Sequence, residues 1–139
     1  MFLFCQTGHK YLFSDIERNW EDSRGECELY GGWLVQINNL KEYNCLLRFG
    51  VKEGMSAWFW TDGNDRENTG VWTHAYDNSD LTFFPPKISC GCYGESSLYC
   101  SAKGDAFEFY ISDTDKQARG AYSDCPSSHL KNFICEGTI

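Results

Sequence analysis

The chain has 139 residues, 42% hydrophobic and 17% aromatic with 5 Trp, enough for one domain spanning residues 1–139 around one core. Twelve Lys and Arg against 20 Asp and Glu give a formal net charge of −8, which argues against a nucleic-acid partner, since phosphate binding relies on clustered cations. No run of about 20 apolar residues occurs, so no segment reads as a membrane span.

The 8 cysteines form an even, dense set, the pattern of a disulfide framework made in an oxidising compartment, so the chain is expected to be secreted or extracellular. Met1-Phe2-Leu3-Phe4 is too short for a signal peptide, so a leader would lie outside this sequence. Zinc is disfavoured: no Cys-x-x-Cys or His-x-x-x-His pair is present, and Cys90-Gly91-Cys92 is too tight for an ordinary knuckle.

In chain order, Lys10-Tyr11-Leu12-Phe13-Ser14 reads as a first strand. Asn19 is a good helix N-cap, with Glu21 and Asp22 in the first turn where the dipole favours acids. The spacing predicts a helix over 20–30 with Trp20, Cys27 and Tyr30 on one face, ended by Gly31-Gly32. Trp33 to Ile37 reads as a strand. Asn39 with Glu42 three residues on opens a second helix in capping-box style. Its inner face is Tyr43, Leu46 and Leu47, and Gly50 is expected to stop it.

Two aromatic strands follow, over 57–61 and 70–74, joined by a polar turn over 62–68, with Trp58 and Trp72 expected in the core. From about Tyr76 to Gly104 periodicity is lost, and a loop this long in a compact domain is usually functional or cross-linked. Residues 105–111 alternate as a strand with Phe107, Phe109 and Ile111 on one face, and 121–125 is its expected partner. The chain closes with a strand, Asn132 to Glu136. A terminal strand holds only if it pairs with distant chain. By position the best cysteine partner for Cys135 is Cys27, a bond worth about 4–5 kcal/mol in the chain-entropy model. Two helices early and strands late give an α+β domain, with the helices flanking a mainly antiparallel sheet.

These pieces together resemble the C-type lectin-like domain. They are Tyr11-x-Phe13-Ser14, Asn19-Trp20-Glu21-Asp22, Cys27, Gly31-Gly32-Trp33-Leu34-Val35-Gln36-Ile37, Glu42, Ala57-Trp58-Phe59, Gly70-x-Trp72 and Cys125…Phe133-Ile134-Cys135-Glu136. The resemblance implies a double-loop architecture whose long loop carries the ligand site, and it implies the Cys27–Cys135 bond. It also implies a second bond from Cys125. In the family its partner opens the preceding strand, where this chain has Ala106, so Cys100, Cys92 or Cys90 must substitute, Cys100 being the first choice. A 5–45 bridge with one bond inside the loop would use the remaining cysteines.

The departures bear on function. Sugar-binding members carry Glu-Pro-Asn or Gln-Pro-Asp in the long loop and Trp-Asn-Asp before the penultimate cysteine. Here the matching stretches are Pro85-Pro86-Lys87 and Gly120-Ala121-Tyr122-Ser123-Asp124. Calcium wants six to eight oxygen ligands, several of them charged. The expectation is therefore an extracellular recognition module for a protein or glycan ligand, using Phe84, Tyr93, Tyr99 and Glu95 and no cofactor. The alternative is a lectin with a rearranged calcium site built from Glu95, Glu108 and Asp124. Loop aromatics, Phe83 included, read equally as ligand contacts or as a small loop core. No catalytic residue is assigned: no nucleophile elbow, phosphate loop or His-Glu-x-x-His occurs, and the chain is not read as an enzyme. A structural role at ice or mineral surfaces, as in some family members, fits the acidic composition but has no motif of its own.

Overall fold

A computed structural model describes residues 2–5, 8–67, 71–83, 88–89, 106–111, 122–125 and 127–138. Its elements are β1 (Phe2–Phe4), β2 (His9–Phe13), α1 (Trp20–Leu29), β3 (Trp33–Leu34), α2 (Leu40–Lys52), β4 (Ala57–Asn64), β5 (Thr73–His74), β6 (Ile88–Ser89), β7 (Ala106–Ile111), β8 (Tyr122–Cys125) and β9 (Asn132–Thr138).

The closing strand is the hub. β9 runs antiparallel to β2, with Leu12 opposite Cys135, and parallel to β4, with Trp60 opposite Phe133. β3 adds a short antiparallel contact through Leu34 and Cys135. From β4 the sheet continues through β7 to β8, and β6 lies parallel to β8. The strand order is β1-β2-β9-β4-β7-β8-β6.

Alternation along these strands divides the core in two. On one face Tyr11, Phe13, Phe59, Phe107, Phe109, Ile111 and Ile134 pack with Tyr43, Leu46 and Leu47 of α2. On the other, Trp60, Ala106, Phe133 and Cys135 pack with Trp20 and Cys27 of α1. The helices therefore lie on opposite faces of the sheet.

Local chemistry explains most helix ends. Asn19 and Asn39 each accept a backbone N–H three residues on, from Asp22 at 2.8 Å and Glu42 at 2.9 Å. After α1 the Gly32 N–H reaches the Cys27 carbonyl and the Gly31 N–H reaches Glu28, a Schellman closure with Gly31 at φ 79°. Tyr30 is the C-cap, and its side chain is exposed rather than sharing the buried face of Trp20 and Cys27. Gly50 does not stop α2, which runs on to Lys52. Its missing side chain serves packing instead: a Cβ there would sit 2.7 Å from Ile111 Cδ1, so glycine lets the helix press against β7.

Among the described residues two disulfides hold this frame. Cys27–Cys135 joins α1 to β9 across 108 residues, and Cys5–Cys45 joins the segment after β1 to α2 across 40. The predicted polar turn over 62–68 begins later than expected. Residues Thr61, Asp62, Gly63 and Asn64 continue β4, and Asp62 is 1% exposed.

Candidate functional site

The root of the long loop is built by β5 and the turn after it. His74 N–H donates to the Ser79 carbonyl and Leu81 N–H to that of Trp72, so the chain folds back at once. Leu81 and Phe83 then pack against the α2 side of the core, with Phe83 5.8 Å from the Tyr43 ring. Phe83 is thus a core residue. Phe84, Tyr93, Glu95, Tyr99 and Cys100 lie outside the described residues.

Trp72 packs half-buried on Phe107 at 4.2 Å and joins the core. Trp58 does not: it lies partly exposed on Tyr110 at 4.6 Å, with Lys131 Nζ 5.8 Å above its ring. The late strands carry the other candidates. Glu108 on β7 is fully buried, and Lys131 Nζ is 3.5 Å from its carboxylate. Across the β7–β8 ladder Ser123 stands opposite Glu108, and Asp124 opposite Phe107. Ala106 stands opposite Cys125, which puts alanine in register with that cysteine.

Two buried acid clusters lie closer to the frame, and the sequence reading did not single them out. In the first, Asp62 accepts from the Gln36 side-chain amide and from Tyr76 N–H, both at 3.0 Å, with His74 Nδ1 3.8 Å away. Burial pushes Asp62 up to about 6 and pushes the His74 imidazole down. Asp77 moves the other way, held below the usual carboxylate range by the Ser79 hydroxyl and N–H.

In the second cluster, Glu42 accepts from the Tyr11 hydroxyl at 2.5 Å and from Asn38 N–H at 2.9 Å. Glu136 accepts from Gln36 N–H at 2.9 Å, and His9 Nδ1 is 2.6 Å from its other oxygen. Burial, and then the neighbouring Glu42 carboxylate, push Glu136 from 4.5 up to about 7. The folded chain therefore favours neutral Glu136. That contribution is complete below pH 4.5 and is lost as pH rises through about 7. Thermal melts across this window should show a flatter decline with rising pH for Glu136→Gln than for the parent. Part of the slope should remain, from Asp62. An identical slope in both proteins would assign the pH dependence to other groups.

The sequence held a signal for both acids: Glu136 already falls inside the predicted closing strand, and continuing the alternation of β4 through Asp62 puts that acid inside the ladder rather than in the turn.

No family model matches the chain. The human scavenger receptor C-type lectin carbohydrate-recognition domain superposes with a TM-score of 0.76, covering 99% of this chain and 96% of that one at 20% identity. CD209 antigen-like protein C of Mus musculus is 26% identical over 129 residues, 93% of this chain and 64% of the relative. The chain has the C-type lectin-like fold. A perlucin-like protein of Mytilus galloprovincialis is 28% identical over 86 residues, 57% of this chain and 55% of the relative. The domain thus spans less than two thirds of the length of either relative.

Calcium, which the fold family implies, fits the described part of this chain poorly. Among the described residues no three His, Cys, Asp or Glu side chains gather as a ligand set. Glu108 already has an ammonium beside it. Also among the described residues, no helix is long and apolar enough to cross a membrane.

Proposed function

We propose that this chain is an extracellular recognition module. It meets a protein or glycan ligand with the loop over residues 76–104, through Phe84, Tyr93, Tyr99 and Glu95. It works without the calcium–sugar chemistry of sugar-binding family members and without catalysis. The observation that carries the calcium-free reading is Lys131 beside Glu108. A buried carboxylate compensated by an ammonium has no net charge left to offer a divalent cation, and removing that partner from a buried pair is costly. Pro85-Pro86-Lys87 supports the same reading, since it lacks the acid and amide that would bind ion and sugar together. The two disulfides of the frame support an oxidising, extracellular setting.

A glycan array, probed with and without a chelator, tests this reading. Binding is expected to be unchanged by the chelator. Phe84→Ala or Tyr93→Ala should each weaken it by more than about 1 kcal/mol, as for interface anchors. Binding that disappears with chelator would replace this reading with a calcium site using Glu95.

A further inference from the structure

A second surface lies beside α1, where the long loop begins, and among the described residues takes only Tyr76 and Asn78 from that loop. One hollow of about 450 Å³ is lined by Arg24, Asn64, Arg66, Glu67, Thr73 and Asn78 among others. A smaller one of about 140 Å³ adjoins it, with Trp33, Asp62 and Tyr76 in its wall. Arg24 and Ala75 line both, so the two form one groove between α1 and the β4–β5 hairpin.

The floor is rigid. Trp20 is 1% exposed, and its indole N–H donates to the Thr61 carbonyl at 2.8 Å. The Arg24 and Arg66 guanidinium carbons lie 5.2 Å and 5.1 Å from the Trp20 ring. One carboxylate ties both forks: Glu21 Oε1 takes Arg24 Nη1 at 3.4 Å, and Glu21 Oε2 takes Arg66 Nη1. Each guanidinium thus has one amino group on Glu21 and its carbon near the Trp20 ring, which narrows its orientations and reduces the ordering cost of further hydrogen bonds. At the far end Tyr76 is 59% exposed and stacks on Trp33 at 4.4 Å with planes 23° apart, a flat ring braced from behind.

The wall chemistry selects the occupant. Guanidiniums donate, Glu67 accepts, and Asn78 and Thr73 carry groups that do either, while the Asn64 amide is already engaged by the backbone of Asp62, Thr73 and Arg66. An apolar ligand would leave these groups without partners, at a cost. A polyanion would face Glu67 and Glu21 on a chain of net charge −8. Sugar hydroxyls donate and accept at once, and the C–H face of a pyranose fits an aromatic ring. We propose that this groove is a calcium-independent subsite for a neutral saccharide, with Tyr76 as the stacking platform and Arg24 and Arg66 as fixed hydroxyl clamps. The subsite goes beyond the long-loop reading and does not depend on it.

The test is amide chemical-shift mapping of the intact chain in chelator. The probes are neutral trisaccharides of glucose, mannose, galactose or N-acetylglucosamine, with a sulfated disaccharide as the charged control. At least one neutral probe should shift amides at residues 24, 64–66 and 73–78. Tyr76→Ala and Arg66→Ala should each weaken that binding by about tenfold. Arg66→Lys should not restore it, because a point charge lacks the planar fork. Phe84→Ala and Tyr93→Ala should leave it unchanged, which separates this site from the ligand contacts proposed further along the loop. Three results would overturn the proposal: no groove shifts with any neutral probe, shifts with the sulfated probe alone that high salt abolishes, or groove binding indifferent to Tyr76 and Arg66.

Discussion

Replacing Cys27 and Cys135 together by alanine is expected to cost about 5 kcal/mol, and replacing Cys5 with Cys45 about 4 kcal/mol, from the loop lengths each bond closes. The sequence separations are 108 and 40 residues. The effect grows only logarithmically with loop length, so the two costs should be similar despite the difference in span. Most of the loss arises in the unfolded chain, which becomes free to expand. The denaturant dependence should therefore steepen along with the fall in midpoint, since more surface is exposed on unfolding. Urea unfolding of both double variants checks this. Cys27 and Cys135 are also buried among Trp20, Leu34, Trp60 and Phe133, so the longer bridge should carry a further packing loss. If the 5–45 variant proved the less stable, the chain-entropy account of this fold would fail.

The second large effect is expected at Trp60. Trp60→Ala should destabilise by about 3–5 kcal/mol, the usual range for a buried aromatic replaced by alanine. Trp60 is fully buried, packs with the α1 cluster and donates its indole N–H to the Arg18 carbonyl at 3.0 Å. Trp58, two residues earlier on the same strand face, makes the internal control. It packs on Tyr110 and under Lys131 rather than in the α1 cluster, so Trp58→Ala should cost clearly less. Equal losses in equilibrium unfolding would mean that coverage by α1 does not decide which tryptophan is core.

This contrast also marks how far the sequence could be read. Helix starts were legible because Asn19 and Asn39 act on N–H groups three residues away. The Gly31 stop was legible for the same reason, and the inner face of α2 follows from spacing alone. Gly50 was misread because its role lies with Ile111, sixty residues on, where packing overrides glycine's local preference. Asp62 looked like a turn residue because nothing nearby in sequence announces the Gln36 amide and Tyr76 N–H that satisfy it. Trp58 and Trp60 are indistinguishable until the position of α1 is known. At the candidate site, the missing calcium motifs could be read residue by residue. The Lys131–Glu108 pair, brought together by β7 and the start of β9, could not.

The pairing of β2 with β9 has a mechanical consequence. Phe2 of β1 stands beside Leu12, and Leu12 beside Cys135, whereas Thr138 lies at the His9 end of β2, so the two ends of the described chain lie at opposite ends of these ladders. Tension applied between them runs along the strands and loads many pairs at once in shear instead of peeling them one by one. Slip of β9 is checked at Cys135, where the strand is covalently tied to α1. Force crosses there directly through the Cys27–Cys135 bond, so the chain between those two cysteines is bypassed while the bond is intact, and a reductant would bring that chain under load.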